Sequence, residues 1–187
     1  MKYIATLLMF GSPVLLAAIS HMVVVKIGLF GFLKIPLDFE RTFRNKRIFG
    51  ENKTFRGVIV MILFSYIYCH ILKLLIQRYP GMNDYNLLLF DRYDSWLYGI
   101  LYGLGYTLSE LPNSFYKRQI NLLPGKRGPI MNIVIDQIDS VLGCFIILYP
   151  FSNLTIKWIM LGVIFFTFIH ILINLLLYIT GIRENLL

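Results

Sequence analysis

Two carboxylates, Asp136 and Asp139, stand three residues apart in an otherwise apolar stretch. On a helix that spacing puts both on one face, with β-carbons about 5–6 Å apart. The separation suits a hard cation such as Mg²⁺, which takes one or two carboxylates and fills its shell with water and phosphate oxygens. Charge placed near a helix N-terminus is the competing account. A dipole gain of about 0.3–1 kcal/mol does not offset the roughly 2.5–3.5 kcal/mol that an acid costs near a membrane centre, although the cost falls toward the interface. Ahead of the pair come Glu110, Ser114, Lys117 and Arg118, and then Lys126 and Arg127 in a Gly/Pro-rich turn. A second set of cations, Arg41, Arg44, Lys46, Arg47, Lys53 and Arg56, crowds a segment where Asp38, Gly50, Asn52 and Thr54 add turn-forming and hydrogen-bonding groups. Cations in such pairs suit phosphate oxygens whose charge a metal shares. The run G-E-N-K-T (50–54) looks like the tail of a phosphate-binding P-loop. It lacks the earlier glycine, the G-K-[ST] spacing and the strand-to-helix turn, so that reading is set aside.

The elements that position these groups are apolar. The chain has 187 residues, 57% of them hydrophobic and only 15% charged, with a mean hydropathy of +0.68. A soluble domain would lack the charged surface to cover such a core. The fold class expected is an all-α integral membrane protein, one domain over residues 1–187 with about five transmembrane helices. Spans are expected at about 4–33, 58–76, 96–111, 131–149 and 154–182, with loops at 34–57 and 112–130. Lys and Arg concentrate in those two loops and the tail, which puts them in the cytoplasm and the N-terminus outside. The net charge of +8 therefore points to lipid headgroups and phosphorylated substrates as partners, not nucleic acid. Met1-Lys2 before an apolar run resembles a signal peptide, but without a small-residue cleavage site a retained first span is expected. Lys26 within that span is expected to snorkel. Cys69 and Cys144 both lie in apolar runs and read as small buried hydrophobes. Gly99, Gly103 and Gly105 in the third span read as sites of close helix approach. No internal repeat supports an inverted-repeat transporter.

Three motifs carry a family resemblance. R-I-F-G-E-N-K-T-F-R-G (47–57), S-F-Y-K-R (114–118) and D-Q-I-D (136–139) resemble CDP-archaeol synthase. They are similar, more distantly, to CDP-diacylglycerol synthase. The resemblance covers about residues 35–143 with the motifs in the same order. It implies a Mg²⁺-dependent membrane cytidylyltransferase that joins CTP to a lipid phosphate, archaetidic acid-like, and releases pyrophosphate. By motif, Asp136 and Asp139 would hold Mg²⁺ together with Glu110. Lys117 and Arg118 would act on the reacting phosphates, and Lys53, Arg56, Asn52, Thr54, Ser114 and Lys126 would bind substrate. The family has Gly-Asp where this chain has Ser109-Glu110. Glu reaches a methylene further, and Ser brings a side chain to a position of close approach. Three other readings stay open at this point: a degenerate relative that binds lipid or a partner protein, an enzyme acting on phosphatidic acid, and a small transporter or channel. Oligomeric state is open as well.

Overall fold

The computed structural model describes residues 1–123 and 128–181. Five long helices carry the fold: α1 (Lys2–Lys26), α2 (Phe55–Arg78), α3 (Ser95–Gln119), α4 (Ile130–Leu148) and α5 (Ile156–Ile179). Among the described residues four segments are long and apolar enough to cross a membrane: Lys2–Lys26, Phe55–Arg78, Met131–Phe151 and Ile156–Ile179. The chain is thus a helical, multi-pass membrane protein. α3 is the exception in composition, because its second half bears Ser109, Glu110, Asn113, Ser114, Lys117 and Arg118.

α3 is nevertheless the central helix. Tyr98 and Tyr102 on it are fully buried, and each hydroxyl donates to a carbonyl of another element, Phe151 and Phe10 respectively. Glycines let its neighbours close in. A β-carbon on Gly99 or Gly103 would lie 2.6 Å from the Cα of Tyr66 or Ile62 on α2. Gly105 lies close against α4, where a β-carbon would come 3.0 Å from the Cα of Cys144. The close-approach reading of the three glycines is the one the structure supports. Phe10, Tyr102, Phe145 and Phe166 form a chain of ring contacts that joins α1, α3, α4 and α5. Both cysteines are buried and free.

Two helix ends differ from the expected spans. α1 stops at Lys26, although the apolar run continues to Leu33. Gly28 at φ +74° and Phe30 at φ +53° turn the chain into a short 3₁₀ turn, Gly31–Leu33, since left-handed residues cannot continue an α-helix. Lys26 donates to the Gly181 carbonyl just past the end of α5. α3 runs past the expected end at 111 through Pro112 to Gln119. Pro112 removes one intrahelical donor, but tertiary packing on both sides keeps the helix continuous. Residues 112–119 of the expected loop are therefore the last two turns of a helix.

The segment between α1 and α2 has its own order. Strands β1 (Thr42–Phe43) and β2 (Lys46–Arg47) form a short antiparallel hairpin, with Arg44 and Asn45 at positive φ in its turn. Asp38, with no exposed side-chain surface, is the knot of this segment. Its carboxylate accepts from the backbone N–H of Glu40, Phe49 and Gly50 at 3.0–3.1 Å and pairs with Arg47 at 2.8 Å. Burial raises the carboxyl's pKa, but these donors together outweigh it and hold the group well below the usual range. The hairpin leans on the end of α3 through a Phe43–Phe115 ring contact and a Lys46 bond to the Gln119 carbonyl.

Candidate active site

Helical spacing does most of the assembly. Glu110, Asn113 and Lys117 recur at three and four residues along α3, so they share one face. Asp136 and Asp139 do the same on α4, and the two faces meet. Lys117 donates to both oxygens of Asp136. The Asn113 amide nitrogen donates to Asp136 Oδ1 at 2.5 Å and to Asp139 Oδ2 at 3.0 Å. Asp139 Oδ1 also accepts from the backbone N–H of Ser140 at 2.7 Å. Two carboxylates are thus bridged by one amide, with an ammonium on one side.

A second pair lies beside the first. Lys53, just before α2, forms an ion pair with Glu110. Burial alone would lower the Lys53 pKa, but the attraction of Glu110, with Asp139 and Asp136 further off, holds it above its ordinary value. All three carboxylates therefore act on one ammonium. Among the described residues no three His, Cys, Asp or Glu side chains gather closely enough to hold a metal by themselves. The structure does not bring Glu110 into one ligand cluster with Asp136 and Asp139, because its carboxylate is engaged by Lys53.

The other sequence-predicted residues fall in several places. Thr54 is the N-cap of α2, its hydroxyl accepting from Gly57 N–H at 3.3 Å, so the side chain serves the helix end. Arg56 is buried; it donates to the Leu29 carbonyl at 3.4 Å, while its Nε has no partner. Ser114 is buried on α3 and Asn52 is exposed in the turn before α2. Arg118 keeps Nε and Nη1 buried and unpartnered, with Glu51 as the acid facing it. Lys126 lies outside the described residues. Asn113 was not singled out in the sequence, although its spacing of four from Lys117 was the available signal. His21 on α1 also reaches this region, its ring near Gly57 and within the field of Glu110, Arg56 and Lys53.

Of the carboxylate pair, Asp139 borders a groove of about 460 Å³ between α3 and α4. Asp139 and Asn113 form one end, and Ile135, Leu142 and Ile146 supply an apolar wall. Those three aliphatic side chains are exposed, so the groove opens toward the lipid-facing side of the helices. On its opposite face α4 is pinned by α5: Gln137 Oε1 accepts from Asn174 Nδ2 at 3.1 Å, and His170 Nδ1 lies 3.3 Å from the Gln137 carbonyl. That contact fixes which side of α4 faces α3.

The sequence profile of the CarS-like CDP-archaeol synthase family matches residues 2–186. The chain belongs to this family. The family is one of CTP-using nucleotidyltransferases, so the protein is an enzyme. Relatives named CDP-archaeol synthase bear this out. One from Methanosarcina mazei is 31% identical over 165 residues, covering 80% of this chain and 89% of its own length. One from Sulfolobus acidocaldarius is 28% identical over 146 residues, 76% of this chain and 77% of the relative. One from Thermofilum pendens is 28% identical over 151 residues, 80% of this chain, and the match spans just 64% of that longer relative. No solved structure matches the chain. Ser109 donates to the Gly105 carbonyl at 2.7 Å and packs directly on Gly143 of α4. The Ser109 side chain on α3 fits because Gly143 has none across the crossing.

Proposed function

We propose that this protein is a CDP-archaeol synthase in activity as well as in family. It transfers the cytidylyl group of CTP to an archaeol-type lipid phosphate at the cytoplasmic face of the cell membrane. A phosphate oxygen of the lipid forms a bond to the α-phosphorus of CTP, the bond to the β-phosphate breaks, and pyrophosphate leaves. The observation that carries the reading is the double position of Asp139, which belongs both to the cation-and-carboxylate cluster and to the end of the apolar groove. A lipid chain in the groove would bring its phosphate to the same place where nucleotide phosphates are held.

The donor chemistry fits Mg²⁺: two carboxylates on one helix face, with a buried amide oxygen of Asn113 that has no partner. Asp136 and Asp139 would hold the ion, which when bound supplies charge neutralisation on the phosphates. Lys117, already on Asp136, is positioned to meet a phosphate oxygen there, and Lys53 to meet another. No enzyme nucleophile is required, because positioning and fixed positive charge do most of the work in such a transfer. α3 serves as a fifth span, its polar end at the inner interface where the basic hairpin also lies. The archaeol-type lipid follows the names of the relatives.

Purified full-length protein in lipid nanodiscs, given CTP labelled at the α-phosphate, Mg²⁺ and an ether-linked isoprenoid phosphate, is expected to form labelled CDP-lipid. Asp139→Asn is expected to lower turnover by about 10²-fold or more without loss of expression. Absence of labelled lipid with this substrate and also with phosphatidic acid would overturn the activity. Preference for phosphatidic acid would overturn the lipid assignment alone.

A further inference from the structure

Asn113 is the residue that touches both carboxylates. It is 9% exposed, its amide nitrogen lies 2.5 and 3.0 Å from one oxygen of each, and its own Oδ1 is buried with no partner. A buried acceptor without a donor costs about 1–3 kcal/mol, so a residue of this kind next to two acids calls for a reason. The amide nitrogen occupies the place between the carboxylates where a bridging cation belongs. The two ends of a carboxamide are nearly equal in size, and its terminal torsion is broad and two-fold. A half-turn exchanges nitrogen for oxygen without moving the helix.

We infer that Asn113 is a ligand for the divalent cation: its Oδ1 joins Asp136 and Asp139 when the ion enters, and its Nδ2 holds the same two carboxylates in register when the ion leaves. The site then offers three oxygens from two helices, with Glu110 left to Lys53. Asn oxygens are ordinary ligands for hard cations. Without such a device, two acids on one helix face, with Lys117 on Asp136 alone, would repel one another. The inference rests on the cytidylyltransferase reading for the purpose of the ion, but the binding itself is tested without turnover.

Mn²⁺ is the probe, since carboxylate and carbonyl oxygens suit it as they suit Mg²⁺. Its free fraction is read by electron paramagnetic resonance during titration of the full chain in nanodiscs, with and without CTP. Asn113→Leu is expected to weaken Mn²⁺ binding by about tenfold or more. Asn113→Asp separates a ligand from a mere clamp, because it keeps the oxygen and loses the N–H donors. A ligand role predicts Mn²⁺ bound at least as tightly as by the wild type; a clamp role predicts a loss like that of Asn113→Leu. Weakening in Asn113→Asp, wild-type affinity in a folded Asn113→Leu, or no Mn²⁺ bound by the wild type under either condition overturns the inference. Should Asn113→Leu fail to fold, the Asp variant decides alone. Labelled CDP-lipid formed by the same wild-type sample keeps the function standing if the inference falls. Absence of product with the expected Mn²⁺ pattern does the reverse.

Discussion

Ser109 and Gly143 meet where α3 crosses α4, and the contact leaves no room for a second side chain. A β-carbon on Gly143 would come 2.3 Å from Ser109 Cβ and 2.4 Å from the Gly105 carbonyl oxygen. Those distances cannot be relieved by rotating a side chain, so α3 and α4 must separate. Gly143→Ala is therefore expected to destabilise the protein by about 1–3 kcal/mol, the usual cost of overpacking, and to reduce turnover by shifting the carboxylates away from Asn113 and Lys117. Adding Ser109→Gly should restore part of the loss and not all of it, because the Gly105 carbonyl stays in the way. Thermal unfolding and turnover of the two single variants and the double variant measure the coupling. Strict additivity would mean that the crossing is not tight at this point.

At the scale of elements, the segment that carries Lys53 to Glu110 depends on Asp38. Its folded pKa lies below its ordinary 3.8, so its contribution to stability is complete above that value. The contribution is lost as pH falls from there toward the folded pKa. Asp38→Asn removes the charge and one side of the Arg47 pair while keeping the size. Wild type is expected to melt higher than Asp38→Asn at pH 7, with the gap closing as pH falls below about 4. Melting curves of both proteins from pH 7 to pH 3 provide the check, and a gap unchanged by pH would show that the carboxylate charge is not what ties the hairpin. α4 is positioned in a comparable way from its far side, where Asn174 holds Gln137 inside the helix pair.

At the scale of the molecule, orientation decides which solution the site faces. The hairpin and the polar end of α3 touch one another, so they share a side. The turn Pro80–Tyr85, which joins α2 to α3, lies at the other end of both helices. On the proposed topology, with the N-terminus outside and α3 spanning, Arg44→Cys is expected to react with an impermeant maleimide only in inverted vesicles, and Asp84→Cys only in right-side-out ones. Cys69 and Cys144 are buried, so background labelling should be low. Labelling of both positions from the same side would mean that α2 does not cross.

Composition and motif order sufficed for the membrane class and the family, and helical spacing for placing Asp136 and Asp139 on one face of α4. Those features follow from local chemistry: apolar runs of a given length, and residues at helical spacing. Helix ends were less legible. The stop at Lys26 depends on left-handed backbone at Gly28 and Phe30, and the continuation through Pro112 depends on the packing of α3 between α2 and α4. The bridging role of Asn113 and the separation of Glu110 from the carboxylate pair were not readable at all. Each depends on how α3 and α4 are rotated against one another, which Gly105, Gly143 and the Gln137–Asn174 bond set together. The amino-acid order by itself determined which chemical groups are present and which share a helix face. Only the packing of the helices decided which of those faces meet, because contacts between distant segments fix the rotation that spacing along one segment leaves free.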